Sequence, residues 1–248
     1  MEWQEPAIVL ETAPYGEGDA LVTVLTASQG AWRGLVKGGN SRNRIALWQP
    51  GNIISARWAA RLPEQLGSFT GEMVHPAAAL AMDDRLHLAI LNAACALAAG
   101  ALPEREPHRE IFAGLARLLA GINIVGTPLP ALVLWELDLL RDLGFGLDFS
   151  ASAIAGDNDR LAFVSPRTGR AVSLSAAGDW AGRLLRLPAF LLDWGEPDGA
   201  DCLDGLKLTG HFLARDVFGA RHQPLPPARQ RLYDLLTDRA EEKNCPST

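Results

Sequence analysis

Between residues 7 and 74 the chain is cut into five short extended segments, and no other feature of the sequence limits the fold as tightly. The segments cover residues 7–12, 20–27, 31–37, 53–59 and 66–74, where β-branched and aromatic residues concentrate. Turn-forming phrases separate them: Pro14-Tyr15-Gly16, Gln29-Gly30, Gly38-Gly39-Asn40, Pro50-Gly51 and Leu62-Pro63. Five strands this close together suit a small closed barrel of the OB type, and an SH3-like barrel fits the pattern nearly as well.

Charge is unevenly placed on these segments. The chain as a whole carries a formal charge of -6 and a pI near 5.4, which argues against a protein that clings to nucleic acid over its entire surface. Yet Arg33, Lys37, Arg42, Arg44, Arg57 and Arg61 fall between positions 33 and 61 with no Asp or Glu among them. Strand alternation puts Arg33, Leu35 and Lys37 on one face, and the loop from Gly38 through Arg44 extends the positive strip. Trp32 alternates opposite to Arg33 and is assigned to the core; Trp48, in the basic loop region, is the candidate for stacking on a base. A basic groove with aromatic platforms holds single-stranded nucleic acid without sequence preference. The plain alternative is a solvated outer face over a tryptophan-containing core.

His75-Pro76 marks a boundary, so residues 1–76 and 77–248 are read as two domains, the second helical. Helices are expected at 80–102, with Asp83-Asp84 in the first turn where negative charge suits the dipole, at 107–121, and at 130–143. In the third, Leu132, Trp135, Leu139 and Leu143 form an apolar stripe, with Glu136, Arg141 and Asp142 in solvent. These three helices are expected to pack as a bundle carrying the barrel. Further helices are read at 204–218 and 227–242, with a disordered tail at 243–248. Lys207, Arg215, Arg221, Arg229 and Arg231, against the single acid Asp216, offer a second basic face or a solvated helix surface.

Between the third helix and residue 178 lies a segment with the shape of a zinc ribbon. Such a ribbon needs two C-x2-C pairs about 15 to 20 residues apart. Positions 152, 155, 173 and 176 have that spacing but hold Ser152, Ala155, Ser173 and Ala176. Neither residue type supplies a thiolate for structural zinc, so no metal is expected. The insertion, at about 147–178, would be held by packing of Leu161, Phe163, Val164, Val172 and Leu174. Ser165-Pro166-Arg167-Thr168-Gly169-Arg170 reads as a hairpin turn, or as a turn that binds phosphate.

Motifs for catalysis are missing: there is no Walker A, no G-x-G-x-x-G after a strand, no G-x-S-x-G and no H-E-x-x-H. Gly16-Glu17-Gly18 begins like a phosphate loop but runs into Asp19, which would repel phosphate. Cys95, Cys202 and Cys245 give no disulfide framework, and the five histidines fall in no ligand spacing. No stretch approaches the roughly 20 apolar residues of a membrane span. The acidic start of the chain lacks the form of a secretory signal, which makes the cytoplasm the expected location.

Several phrases in order carry a family resemblance. Glu11, Gly16-Glu17-Gly18-Asp19-Ala20-Leu21-Val22, Leu25-Thr26, Gly30, Gly34-Leu35-Val36-Lys37-Gly38, Ser41 and Leu47-Trp48-Gln49-Pro50 resemble the N-terminal signature of the RecO family of bacterial DNA repair and recombination mediator proteins. The helix ending Leu143-Gly144-Phe145, with the ribbon-like segment after it, resembles the family's C-terminal half, although members often carry four cysteines in that segment. The resemblance implies an α+β protein: a five-stranded OB barrel, then a helical domain with a small metal-free insertion. It implies a non-enzymatic, nucleoid-associated role without cofactor. The partners implied are single- and double-stranded DNA, RecR and single-stranded-DNA-binding protein, with no membrane. The implied activities are strand annealing and loading of a RecA-type recombinase. The implied DNA contacts are Lys37, Arg42 and Arg44, flanked by Arg33 and Arg57; Trp48 joins them as the stacking candidate. An apolar groove with a basic rim on the helical domain would take the tail of single-stranded-DNA-binding protein. A protein-binding scaffold with no affinity for DNA is the competing reading.

Overall fold

The structure is a computed structural model that describes residues 1–42, 44–62, 65–124, 128–153 and 160–244. These form two compact units, Met1–Pro128 and Leu129–Thr248. Ala155 and Cys245 lie outside the described residues.

The first unit is built on β1 (Glu2–Tyr15), β2 (Asp19–Thr26), β3 (Gly30–Val36), β4 (Ile53–Ala59) and β5 (Ser68–His75). They close into a barrel in the order β1-β2-β3-β5-β4, with β4 returning to β1. All pairings are antiparallel except β3 with β5, joined at Leu35 and Ser68. β1 is long enough to serve two neighbours: Glu2 to Ile8 pairs with β4, Ala7 to Tyr15 with β2, and a bulge between Val9 and Glu11 bends it from one to the other. The last four strands read from the sequence fit within two residues, whereas β1, read as 7–12, is longer at both ends because it pairs with two neighbours; the closed five-stranded order is that of an OB barrel.

The barrel interior is unusually aromatic. Trp32, Trp48, Trp58 and Phe69 are buried with Val22, Val24, Val36 and Ile54, and Trp3 packs against them. Trp32 meets Trp58 edge-on at 5.0 Å, and Trp3 stacks on Trp58 at 6.2 Å. Room for the Trp58 ring comes from Gly67, at φ +67°, where an added Cβ would sit 2.4 Å from the indole. The Trp58 indole N–H donates to the carbonyl of Leu66 at 3.0 Å, so this ring also pins the turn before β5.

Beyond the barrel come α1 (Ala77–Ala81), α2 (Arg85–Ala101) and α3 (Arg109–Ala120). The helix expected at 80–102 is therefore two: Leu80 ends in α1, and α2 starts only after Asp84. Asp84 is its N-cap, not a first-turn residue, and accepts from the N–H groups of Leu86 and His87. The first unit reaches past the helices to Pro128 because their connector is tied to the barrel. The Arg105 N–H donates to the carbonyl of Ala31, and Arg105 lies over the Trp32 ring at 4.6 Å.

In the second unit, α4 (Leu129–Asp142) precedes β6 (Leu161–Val164), β7 (Ala171–Ser173), α5 (Leu174–Ala177), β8 (Leu185–Arg186), α6 (Gly199–Phe212) and α7 (Pro227–Asn244). The three strands make a small sheet in the order β7-β6-β8. The third helix of the expected bundle thus belongs to this unit, where it packs on α6. A π-helical turn, Leu213–Phe218, prolongs α6. In the ribbon-like insertion Val164 and Val172 are buried as expected, Leu161 and Phe163 half-buried, and Leu174 is 57 % exposed. Leu174 opens a helical turn after β7 instead of continuing the strand, and that removes it from the sheet's buried face.

Glu136 corrects the reading of α4. Assigned to solvent from the sequence, it is 0 % exposed and faces Arg229 of α7, itself 1 % exposed. The Arg229 Nε donates to Glu136 Oε1 at 2.5 Å and its Nη2 to Oε2 at 3.0 Å. The same Nη2 also donates to the Leu206 carbonyl at 2.8 Å, and the Thr209 hydroxyl donates to Glu136 Oε2. One fork-shaped ion pair thereby joins α4, α6 and α7. Arg229 accordingly leaves the second basic strip.

Candidate nucleic-acid interface

The segment between β3 and β4 is irregular, and its backbone is held from three sides. Asp19, at the start of β2, accepts from the Gly38 N–H at 2.7 Å, while the Asn40 side chain donates to the Asp19 carbonyl at 2.7 Å. From β1, the Thr12 hydroxyl donates to the Trp48 carbonyl. Asn52, 1 % exposed, donates from its side-chain amide to the carbonyls of Ala46 and Leu47 and accepts from the Ala78 N–H of α1. Asp19 therefore anchors the loop, whereas its position after Gly16-Glu17-Gly18 suggested only an acid set against phosphate. Asn52 carried no signal beyond its place after Pro50-Gly51.

On this frame Lys37, Arg42 and Arg44 are exposed together. Arg44 folds back so that Nη1 donates to the Lys37 carbonyl at 2.7 Å, which brings its guanidinium to the loop's origin. Among the described residues, no carboxylate pairs with any of the three. Their charge is held out to solvent by a chain that is net negative.

Arg33 and Arg57 differ from these three. Both are on the outer faces of their strands, as alternation predicts, but each already has a carboxylate. Arg33 meets Glu104 at 3.5 Å and Arg57 meets Glu2 at 2.6 Å. The Arg57 hydrogen bond, with its charge second, holds the Glu2 carboxyl below its ordinary value. Exposed pairs of this kind are readily exchanged for phosphate, so both residues are flanking contacts at most.

Trp48 cannot serve as a stacking platform. It is 2 % exposed, turned into the barrel beside Phe69 with ring centroids 6.1 Å apart. The energetics favour that choice. Burying an aromatic ring removes roughly 150–250 Å² from water, about 4–6 kcal/mol at ~25 cal/mol per Å², whereas a stacked base returns about 1–3 kcal/mol. A cleft of about 280 Å³ does lie beside it, lined by Val36, Arg44, Leu47, Phe69, Thr70 and Gly71.

In the second unit the phrase from Ser165 to Arg170 is a hairpin turn between β6 and β7. Ser165 and Gly169 close it with backbone hydrogen bonds, and Arg215 donates from beneath to the carbonyl of Pro166. Arg215 is otherwise engaged by Asp216 in a two-point pair, which leaves Lys207, Arg221 and Arg231 as the other exposed members of the former strip. Of the ribbon positions, Ser152 and Ser173 are joined to each other: the Ser173 N–H donates to Ser152 Oγ at 3.3 Å, and Ser173 Oγ accepts from the Ala176 N–H. Among the described residues, no three His, Cys, Asp or Glu side chains are grouped to hold a metal ion. A groove of about 280 Å³ between α4 and the following segment is lined by Leu134, Leu137, Leu147, Phe149 and Leu191, with Arg141 and Asp138 at its edge. No helix among the described residues is long and apolar enough to cross a membrane.

A closed OB barrel with a protruding basic loop, followed by helices, places the chain in the class of α+β proteins built on an OB domain. Comparison with known proteins narrows that class. Residues 1–77 match the family model "Recombination protein O N terminal" and residues 82–224 match "Recombination protein O C terminal". The DNA repair protein RecO of Acidiphilium cryptum is 65 % identical over 243 residues, covering 96 % of this chain and 97 % of that protein. Those of Granulibacter bethesdensis and Gluconacetobacter diazotrophicus are 55 % and 54 % identical, each alignment covering 95 % of this chain and 96 % and 95 % of the relative. The chain belongs to the RecO family of DNA repair proteins.

Proposed function

We propose that this protein is a non-enzymatic recombination mediator of the cytoplasm and nucleoid. It binds single- and double-stranded DNA, anneals complementary strands and, with RecR and single-stranded-DNA-binding protein, helps load a RecA-type recombinase. The observation that carries this reading is the Lys37, Arg42 and Arg44 cluster: three exposed cations on an anchored loop, unmatched by any described carboxylate. Annealing needs two polyanions to approach, and cations bound to the phosphates lower their mutual repulsion and release counterions. We assign the groove beside α4 to the acidic, hydrophobic tail of single-stranded-DNA-binding protein: its leucines take the apolar part, and Arg141, paired at 3.0 Å with the exposed Asp138, exchanges that carboxylate for the tail's.

The test is the rate at which two complementary oligonucleotides anneal, with wild-type protein and with the Lys37, Arg42, Arg44 triple alanine variant. Acceleration by wild type that the variant loses supports the reading. No acceleration by folded wild-type protein overturns it and leaves a scaffold that binds only proteins.

A further inference from the structure

The segment from Arg160 to Arg186 holds five arginines and one acid, Asp179, in a chain whose overall charge is -6. At its exposed end, the turn of residues Gly178–Arg183 presents Trp180, 62 % exposed, with the Arg183 guanidinium over its ring at 5.0 Å. An indole left this open keeps much of its apolar surface available to a ligand. Arg183 lies over one face of the ring, and more than half of the side chain remains in solvent. The supporting elements add Arg160, in a pocket it shares with Leu174, Arg186, Asp201 and Asp204. The N–H of Leu174 donates to the carbonyl of Arg160, which sets the exposed Arg160 beside the start of α5, the helical turn leading into Trp180. Leu174 itself is open to solvent on that turn.

A second exposed tryptophan in the same unit makes the contrast. Trp194 is 54 % exposed, but its neighbours in sequence are Asp193, Glu196, Asp198 and Asp201, with no cation between 187 and 206. On the Trp180 segment Arg170 pairs with Asp148 at 3.5 Å and Arg186 with Asp204 at 4.0 Å, while Arg160, Arg167 and Arg183 have no carboxylate partner among the described residues; the Trp194 segment has no cation at all.

We infer that Trp180 and Arg183 form a stacking platform for an unpaired base of single-stranded DNA, separate from the basic loop of the barrel. A flat ring capped by a guanidinium on one side offers its other side to any base, and the cations of its segment without a carboxylate partner, Arg160, Arg167 and Arg183, neutralise phosphates of the same strand. A duplex has its base faces covered, so the platform confers preference for unpaired strands. This inference rests on the proposed DNA binding and adds a second site to it.

The experiment measures binding of labelled oligo-dT, and of a duplex of equal length, to wild type, Trp180→Ala, Trp180→Phe and Trp194→Ala, with the barrel triple variant in parallel. Because both tryptophans are exposed, unfolding midpoints should stay close to wild type, and matching circular dichroism confirms the fold. Trp180→Ala should weaken oligo-dT binding roughly ten-fold while leaving duplex binding within about two-fold, with Trp180→Phe retaining most of the affinity. Trp194→Ala should bind as wild type does. If wild type binds oligo-dT and the barrel variant does not, but Trp180→Ala is unchanged, the platform is wrong and the barrel site stands. Equal losses on oligo-dT and duplex would also overturn it, since stacking requires an unpaired base. If wild type binds neither DNA, the proposed function fails, and the platform with it.

Discussion

Removing one member of the Glu136–Arg229 pair and removing both should have opposite consequences. Arg229→Leu leaves the Glu136 carboxylate 0 % exposed with only the Thr209 hydroxyl to serve it, a situation that typically costs about 3–5 kcal/mol. Replacing Glu136 and Arg229 together by leucine and methionine removes both buried charges and should recover most of that loss. Urea denaturation of the three proteins checks this; a double variant as unstable as the single one would show that the pair itself stabilises the unit. The pair was hidden in the sequence because Glu136 sits between Trp135 and Leu137 on a helix with an acceptable apolar stripe. Periodicity assigned it to the outside, and its partner lies 93 residues away. Trp48 misled for the complementary reason: a tryptophan in a basic loop looks like a platform until the chain is seen to turn it inward. Cys95 gives a second prediction at this scale. Burial pushes its thiol up to about 12, so the thiolate is scarce at neutral pH and increases only as the pH approaches that value. Peptide-resolved alkylation near pH 8 should leave Cys95 unmodified in the native protein and label it rapidly in urea; labelling at the native rate of a free thiol would contradict the buried position.

The loop that carries Lys37, Arg42 and Arg44 depends on side chains that bear no part of its charge. Asp19→Ala removes the acceptor of the Gly38 N–H, and Asn52→Leu strands two loop carbonyls and the Ala78 N–H. The second change should cost more, about 2–3 kcal/mol, because it leaves several buried backbone groups unpaired. Limited trypsin digestion should then cut faster at Arg42 and Arg44 in both variants than in wild type, and an unchanged cleavage rate would show that these anchors do not order the loop. The loop's cationic character was readable in advance from the acid-free run between Arg33 and Arg61, as were the strands, which announce themselves by alternation and by Gly and Pro between them. Its anchors were not readable, since Asp19 and Asn52 act through backbone groups that no spacing rule identifies. β8 escaped notice because a strand of two residues has no alternation to display.

Across the whole molecule, two properties pull in different directions: a net charge of -6, which repels DNA at long range, and a local cluster that attracts it. At physiological salt the Debye length is about 8 Å, so the acidic surfaces farther away than that are screened and the cluster acts on its own. Family membership could be read from the ordered phrases between Glu11 and Pro50 because they are the residues that build the barrel and its loop. The measurement that tests the barrel site most directly is fluorescence anisotropy of labelled oligo-dT across a salt series, for wild type and for the Lys37, Arg42, Arg44 triple alanine variant. Wild-type affinity should fall linearly with the logarithm of salt. The variant should bind more weakly at every salt concentration, with a slope shallower by about 2, as expected for three lost phosphate contacts on a single strand. A variant with the wild-type slope and affinity would contradict the placement of the DNA site on the barrel loop.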